Sequence, residues 1–178
     1  MKKLIALVLI GAVFLPAIWS KTLVAYFSQS GTTRELAKKT AALLNADLHE
    51  IIPANPYLDE QLSMENLRSR AKLESGDPKN RPSIKNEIDV SPYDTIILAY
   101  PIWFKDAPRI LYTFVEENDL SGKTVVPVCT SGSDGIGNSA KELSKAASPT
   151  AKFLKGRNFK SETTDEEIYN YFKKKLKL

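Results

Sequence analysis

A hydroxyl-rich turn near the start of the chain has residue types that suit a phosphate group. It joins a short apolar run of β-forming residues, 22–27, to a segment whose apolar residues recur at helical spacing after Gly31. The N–H groups at a helix N-terminus and the positive end of the helix dipole both favour an anion. The candidate phosphate ligands are Ser28, Gln29, Ser30, Gly31, Thr32 and Thr33.

This turn does not match the common nucleotide-binding loops. It lacks the lysine of Gly-x-x-x-x-Gly-Lys-Ser/Thr and the glycine spacing of Gly-x-Gly-x-x-Gly. Serine and threonine also cap helices and shape turns without binding any ligand. The turn alone therefore leaves phosphate binding and simple capping both open.

An aromatic pair marks a second candidate segment. The run 95–100 is typical of a central strand buried on both faces, and it leads directly into Pro101, Ile102, Trp103 and Phe104. A Trp–Phe pair in such a loop either folds back onto the core or stacks on a planar ligand.

A glycine-rich loop follows the next predicted strand, 123–130. Its candidate ligand-binding residues are Ser131, Gly132, Ser133, Asp134 and Gly135. The glycines allow the backbone to approach a ligand closely, although a flexible turn before a helix would have the same composition. A cysteine phosphatase is excluded, because glycine stands where the arginine six positions after Cys129 is required. Cys129 is predicted to be a buried, inert strand residue.

The composition indicates a single globular domain in a chain of 178 residues. The formal net charge of +4, from 25 basic and 21 acidic residues, does not by itself indicate a nucleic-acid partner. A single cysteine excludes an intrachain disulfide. With His49 as the single histidine, the sequence predicts no metal site.

The N-terminal segment resembles a secretory signal peptide. Met1, Lys2 and Lys3 form a basic start before an uncharged apolar run, 4–19, which is shorter than the about 20 residues of a membrane span. The cleavage site near Ser20 is imperfect, so retention as a membrane anchor stays open. The sequence predicts an exported protein, periplasmic or extracellular, with a signal peptide or anchor in 1–20 and its folded domain in 21–178.

Strand and helix patterns alternate along that domain, which predicts an α/β fold with an open parallel sheet and helices on both faces. A long crossover, 53–94, with one helix over 59–74, separates a strand at 46–52 from the strand at 95–100. A last strand is predicted over 151–154. Because parallel strands end at one edge of the sheet, the turn and both loops open there together. A ligand spanning them needs a phosphate and a flat ring, and flavin mononucleotide (FMN) has both.

Three motifs in this order and spacing resemble flavodoxin-like proteins, most closely a bacterial subgroup with a long crossover after strand 2. They are Tyr26-Phe-Ser-Gln-Ser-Gly-Thr-Thr33, Tyr100-Pro-Ile-Trp-Phe104 with Ala107-Pro108, and Cys129-Thr-Ser-Gly-Ser-Asp-Gly-Ile-Gly-Asn138. The resemblance covers 22–176. It implies a three-layer sandwich, a five-stranded parallel sheet of order 2-1-3-4-5, and FMN as cofactor.

The resemblance also implies roles for individual residues. The hydroxyls of Ser28, Ser30, Thr32 and Thr33 would hold the phosphate, with backbone N–H groups from Gln29 and Gly31. Trp103 would stack on the isoalloxazine beside Pro101, Ile102 and Phe104. The loop with Ser131, Gly132 and Gly135 would approach the ring edge.

Two departures from the subgroup affect the charge near the ring. Lys105 stands where the subgroup has glycine, and Asp134 stands in a run of glycine and serine. A lysine would stabilise an anionic reduced flavin and a carboxylate would disfavour it, so the redox potential stays open.

Three functions are compatible with these motifs and this predicted fold. The first is an exported FMN protein that carries electrons and needs no acid–base residues, and no catalytic residue is predicted. The second is an FMN-dependent NAD(P)H:quinone-type reductase, and the third is a non-enzymatic module without flavin. The expected partner is a redox protein or a small electron acceptor, with no nucleic acid, and membrane contact only through an uncleaved N-terminus. A receiver domain is disfavoured, because Ser28 and Gln29 end the first strand without an acidic pair.

Overall fold

The computed structural model describes residues 21–63 and 65–178. The predicted signal peptide or anchor, 1–20, lies outside these residues. The strands are β1 (Thr22–Tyr26), β2 (Asp47–Glu50), β3 (Thr95–Pro101), β4 (Thr124–Thr130), β5 (Lys152–Phe153) and β6 (Arg157–Phe159). The helices are α1 (Thr32–Leu44), α2 (Arg70–Gly76), α3 (Arg109–Glu117), α4 (Ser139–Ala146) and α5 (Asp165–Leu176), with a 3-10 helix at Asp59–Leu62. None of these helices is long and apolar enough to cross a bilayer.

The sheet is parallel and has the order β2-β1-β3-β4-β5, which confirms the predicted 2-1-3-4-5 arrangement. β3 lies at its centre, and Thr95–Tyr100 are all buried, as the sequence predicts. Successive residues of this strand enter different cores because side chains alternate across a sheet. Ile97 packs in the core beneath α1 and α5, and Leu98 packs in the core beneath α3 and α4.

The fifth position of the sheet is divided between two short strands, where the sequence predicts one strand over 151–154. Both β5 and β6 pair with β4, and the break between them lies opposite Pro127, which has no N–H to continue the ladder. Gly156 occupies this break. A Cβ atom there would lie 2.5 Å from the Pro127 carbonyl oxygen, so only glycine fits without a shift of the backbone.

The crossover differs from its prediction of one helix over 59–74. It contains the 3-10 helix and α2, and the described residues between them are not helical. Polar side chains hold this segment in turns: the backbone N–H of Asn66 donates to Ser63 Oγ, and the hydroxyl of Ser69 donates to the Ser63 carbonyl. Such local hydrogen bonds compete with those of a helix, which explains the interruption.

Candidate functional site

Gly31 shapes the turn between β1 and α1. Its backbone is left-handed, with φ of 92°, a conformation that glycine adopts without a steric penalty. Gly31 is also the N-cap of α1, and having no side chain it gives the helix no side-chain cap. Its own N–H donates to Ser28 Oγ over 3.2 Å. The first turn of α1 is therefore suited to an anion that accepts hydrogen bonds from its free N–H groups.

The hydroxyls of this turn fall into two pairs with different surroundings. Ser30 and Thr32 are exposed, and their hydroxyl oxygens lie 3.4 Å apart. Ser28 and Thr33 are buried, and Thr33 Oγ1 lies 2.7 Å from Thr130 Oγ1 at the end of β4. The exposed pair can bind a ligand, whereas Thr33 ties the turn to β4 and Ser28 accepts a hydrogen bond within the turn.

The turn and the loops after β3 and β4 meet at one edge of the sheet. Tyr26 at the end of β1 pairs with Ala99, and Pro101 at the end of β3 pairs with Thr130. A cleft of about 560 Å³ opens at this edge, within the usual range for ligand pockets. The predicted residues that line it are Ser30 and Thr32, Pro101 and Ile102, and the loop residues 131–134.

The other predicted residues lie around this cleft rather than in its lining. Gly31 lines an adjoining cavity of about 540 Å³ that also contains Ser30 and Thr32. The Gln29 side chain points to the crossover, where its Nε2 donates to the Tyr57 carbonyl over 2.9 Å. Gly135 follows the lining loop with a φ of 61°.

A fourth segment of the cleft was not predicted from the sequence. Residues 159–162, from the end of β6 into the loop before α5, line the cleft together with Thr130. Lys160 and Ser161 also line the adjoining cavity. The predicted last strand, 151–154, ends too early to bring residues 159–162 to the carboxyl edge. In the structure β6 (Arg157–Phe159) brings them there. The available signal was the run of polar residues between the predicted strand and Thr164, which is the N-cap of α5.

Trp103 belongs to an aromatic cluster with Phe27 and Tyr57. Its ring centroid lies 5.3 Å from that of Phe27 and 5.0 Å from that of Tyr57, and both contacts are edge-to-face. Phe27 and Tyr57 are themselves 5.9 Å apart. The indole is half-buried and lies on the same side of the molecule as the phosphate-type turn, since Phe27 directly precedes Ser28. Neither Trp103 nor Phe104 lines the cleft, which reaches only Pro101 and Ile102 of this loop.

The loop that carries Trp103 is a tight two-residue turn. Trp103 and Asp106 exchange backbone hydrogen bonds of 2.9 and 3.0 Å, and Phe104 and Lys105 between them have φ of 50° and 69°. Turns with two positive φ values favour Asn-Gly, so these residues hold a conformation that costs about 1–3 kcal/mol each. The Tyr112 hydroxyl, whose pKa is raised by burial, donates to Asp106 and braces the turn.

Charges of both signs surround the cleft. Lys160 supplies a cation, and Asp134 and Glu162 supply carboxylates. Hydrogen bonding to its own backbone N–H lowers the pKa of the Glu162 carboxyl, which therefore stays ionised at neutral pH.

Cys129 lies behind the cleft in β4, and burial raises the pKa of its thiol to about 12. This confirms that Cys129 is a buried strand residue, kept in its unreactive thiol form.

A family model described as Flavodoxin matches residues 21–175 of this chain. The chain belongs to the flavodoxin family. This membership agrees with the strand order and with the position of the hydroxyl-rich turn at the carboxyl edge. A comparison with curated proteins gave no significant match.

Solved structures of two candidate flavoproteins are similar to this flavodoxin family member. The protein from Bacteroides eggerthii DSM 20697 is 43% identical, with a TM-score of 0.83 over 89% of this chain and 99% of its own. The protein from Bacteroides uniformis ATCC 8492 is 40% identical, with a TM-score of 0.81 over 86% of this chain and 98% of its own. A flavoprotein from Lactobacillus acidophilus NCFM, solved in complex with FMN, is 19% identical with a TM-score of 0.62 over 86% of this chain and 99% of its own, and shares the fold.

Proposed function

We propose that this flavodoxin family member binds FMN in the cleft and carries electrons as an exported protein. The observation that carries the proposal is the convergence at one edge of an uncapped helix N-terminus with exposed hydroxyls, the loops after β3 and β4, and a nearby tryptophan. A phosphate fits the first group, and a flat ring fits the others.

The donors of the turn fit a phosphate monoester. Ser30 and Thr32 present two exposed hydroxyls beside the N-terminus of α1, and Lys160 lines the same cleft. One such turn serves one phosphate group, which favours FMN over a dinucleotide. The FMN complex of the Lactobacillus acidophilus protein and the similarity to the Bacteroides proteins support the same cofactor class.

Each segment would have a separate task with FMN bound. Ser30, Thr32 and the first N–H groups of α1 would hold the phosphate. Pro101, Ile102 and the loop 131–134 would border the ring, and Trp103 would stack on it. FMN supplies the redox chemistry when bound, and the protein's part is to orient it and exclude water from one side.

Titration of FMN into the full chain tests the cofactor. We expect flavin fluorescence to be quenched as the isoalloxazine stacks on Trp103, and Trp103→Ala to weaken binding and restore fluorescence. Trp103→Phe is the matched variant, because it retains a ring that packs on Phe27 and Tyr57. A full chain that takes up no FMN, or an isotherm unchanged in Trp103→Ala, would contradict the assignment.

Activity with soluble donors separates electron transfer from the reductase alternative. An electron carrier should show negligible oxidation of NADH or NADPH, with or without an added quinone. Steady quinone-dependent turnover of either donor would identify the reductase instead. Absence of flavin binding would identify the non-enzymatic module.

The export proposal depends on the sequence of residues 1–20. Cell fractionation and N-terminal sequencing of the mature chain test it, with Lys2→Glu/Lys3→Glu as the variant. Export through a signal peptide predicts a new N-terminus near residue 21 outside the cytoplasm and accumulation of the precursor in the variant. An intact Met1 on a protein confined to the cytoplasm would refute it.

A further inference from the structure

We infer that a polar latch in the crossover, Tyr57–Glu74–Arg70, positions Trp103 beside the cleft, next to the lining residue Ile102. Tyr57 contacts the indole edge-to-face, its hydroxyl donates to Glu74, and the Arg70 guanidinium lies over its ring. The inference rests on the proposed function for its consequence in FMN binding. The positioning of the indole can be measured without any flavin.

Two hydrogen bonds and one cation–π contact hold the three latch side chains together. The Tyr57 hydroxyl donates to Glu74 Oε2 over 2.5 Å, and Arg70 Nε donates to Glu74 Oε1 over 2.6 Å. The Arg70 guanidinium also lies over the Tyr57 ring, 4.0 Å from its centroid. Charge-assisted hydrogen bonds of this kind are stronger than neutral ones and fix the geometry of their partners.

Tyr57 and Glu74 are buried and Arg70 is partly buried, which makes the two buried side chains depend on their partners. Tyr57 is 3% exposed and Glu74 is 8% exposed. Burial raises the pKa of Tyr57, so its hydroxyl stays protonated and remains a donor. A buried carboxylate that lost a donor would be left without full compensation, so the whole crossover segment would rearrange.

The latch and its helix α2 contact two segments that adjoin the cleft. At the phosphate end, Gln29 of the turn donates to the Tyr57 carbonyl. At the ring end, Lys72 of α2 lies 4.6 Å from the Phe104 ring centroid, so α2 also contacts the tight turn that follows Trp103. That turn holds two residues at positive φ and needs support from its neighbours to keep its conformation.

Trp103 reports directly on this arrangement. The chain contains two tryptophans, and in a Trp19→Phe background Trp103 is the single one left. Acrylamide quenching of its fluorescence measures how well the indole is covered. Since the readout needs no flavin, it separates failure of the latch from failure of the FMN assignment.

Two variants open the latch with small changes. Tyr57→Phe removes the hydroxyl and keeps the ring against Phe27 and Trp103. Glu74→Gln removes the charge that pairs with Arg70 and keeps the side-chain shape. The matched control is Glu116→Gln, which breaks the Arg81–Glu116 ion pair between the same crossover and α3, away from the aromatic cluster.

We expect Tyr57→Phe and Glu74→Gln to increase the quenching constant of Trp103 by about twofold or more in flavin-free protein. FMN affinity should fall by about fivefold, the scale of one net hydrogen bond, and riboflavin affinity should fall equally, because the defect lies at the ring end. Glu116→Gln should change neither. These results together would support the latch.

Other outcomes would overturn the latch or its proposed cofactor. Quenching unchanged in both variants, or increased equally in Glu116→Gln, would mean that the latch does not position Trp103 specifically. A chain that binds no FMN but still exposes Trp103 in Tyr57→Phe would refute the cofactor and support the latch.

Discussion

The two ends of the cleft are built in different ways. At the phosphate end, most of the polar groups come from one stretch, 28–33, and from the helix that begins within it, with Lys160 added from the loop before α5. At the proposed ring end, beside the cleft lining, the aromatic cluster combines Phe27, Tyr57 and Trp103 from three separate segments. A site for a small charged group can therefore be formed almost locally, whereas a flat aromatic wall requires distant segments to fold together.

The two ends also depend on different supports. The phosphate end is fixed to the sheet by the contact between Thr33 and Thr130. The ring end depends on a turn with two residues at positive φ and on a crossover interrupted by polar side chains. Substitutions at the phosphate end should consequently distinguish ligands that carry a phosphate from ligands that do not.

The largest effect is expected for Gly31→Ala. A side chain at a φ of 92° costs about 1–3 kcal/mol, and relief of that strain would displace the first turn of α1. FMN affinity should fall by about tenfold or more, while riboflavin binds as before. Urea unfolding and flavin titration measure the two effects. Gly76→Ala is the control, since a Cβ atom there meets nothing within 4 Å. A Gly31→Ala protein with unchanged stability and unchanged FMN affinity would contradict the role of the turn.

A smaller effect is expected from breaking the anchor between the turn and β4. Thr33→Val removes one hydroxyl and leaves that of Thr130 without its partner, at a cost of about 1–2 kcal/mol in the free energy of unfolding. The double variant Thr33→Val/Thr130→Val should lose less than the sum of the two single variants. Strict additivity in urea unfolding would show that the contact contributes no coupling energy.

Lys160→Ala should produce a modest and salt-dependent loss. An exposed ion pair contributes about 0.2–1 kcal/mol, so FMN affinity should fall a few-fold at low salt and the difference should disappear at high salt. Riboflavin affinity should not change. Lys155→Ala is the control, because Lys155 is exposed but does not line the cleft. A salt-independent loss, or an equal loss in Lys155→Ala, would exclude a direct charge on the phosphate.

The smallest effect is expected for Asp134→Asn, which tests the charge at the ring end. Asp134 lines the cleft, whereas Lys105 does not line it, so the carboxylate should dominate the field at the ring. Its removal should raise the midpoint potential of bound FMN by tens of millivolts, measured by redox titration. Lys105→Met should move the potential less, and a larger shift in that variant would reverse this assignment.

Much of the fold followed from local patterns. The buried strand over 95–100 was predicted, and it is present in the structure. The two failures have different physical causes. The strand over 151–154 divides because Pro127 on the neighbouring strand cannot donate a hydrogen bond there. The helix over 59–74 is interrupted by side chains that bond the backbone instead.

The sequence by itself determined the parallel sheet and the shared edge at which the turn and the two loops open, because strand and helix periodicities and turn residues act over a few positions. Only the tertiary structure decided that Thr33 meets Thr130, 97 residues away, that Tyr57 packs on Trp103, and that residues 159–162 complete the cleft. These contacts depend on how whole elements pack, and no local pattern encodes which distant side chains will meet.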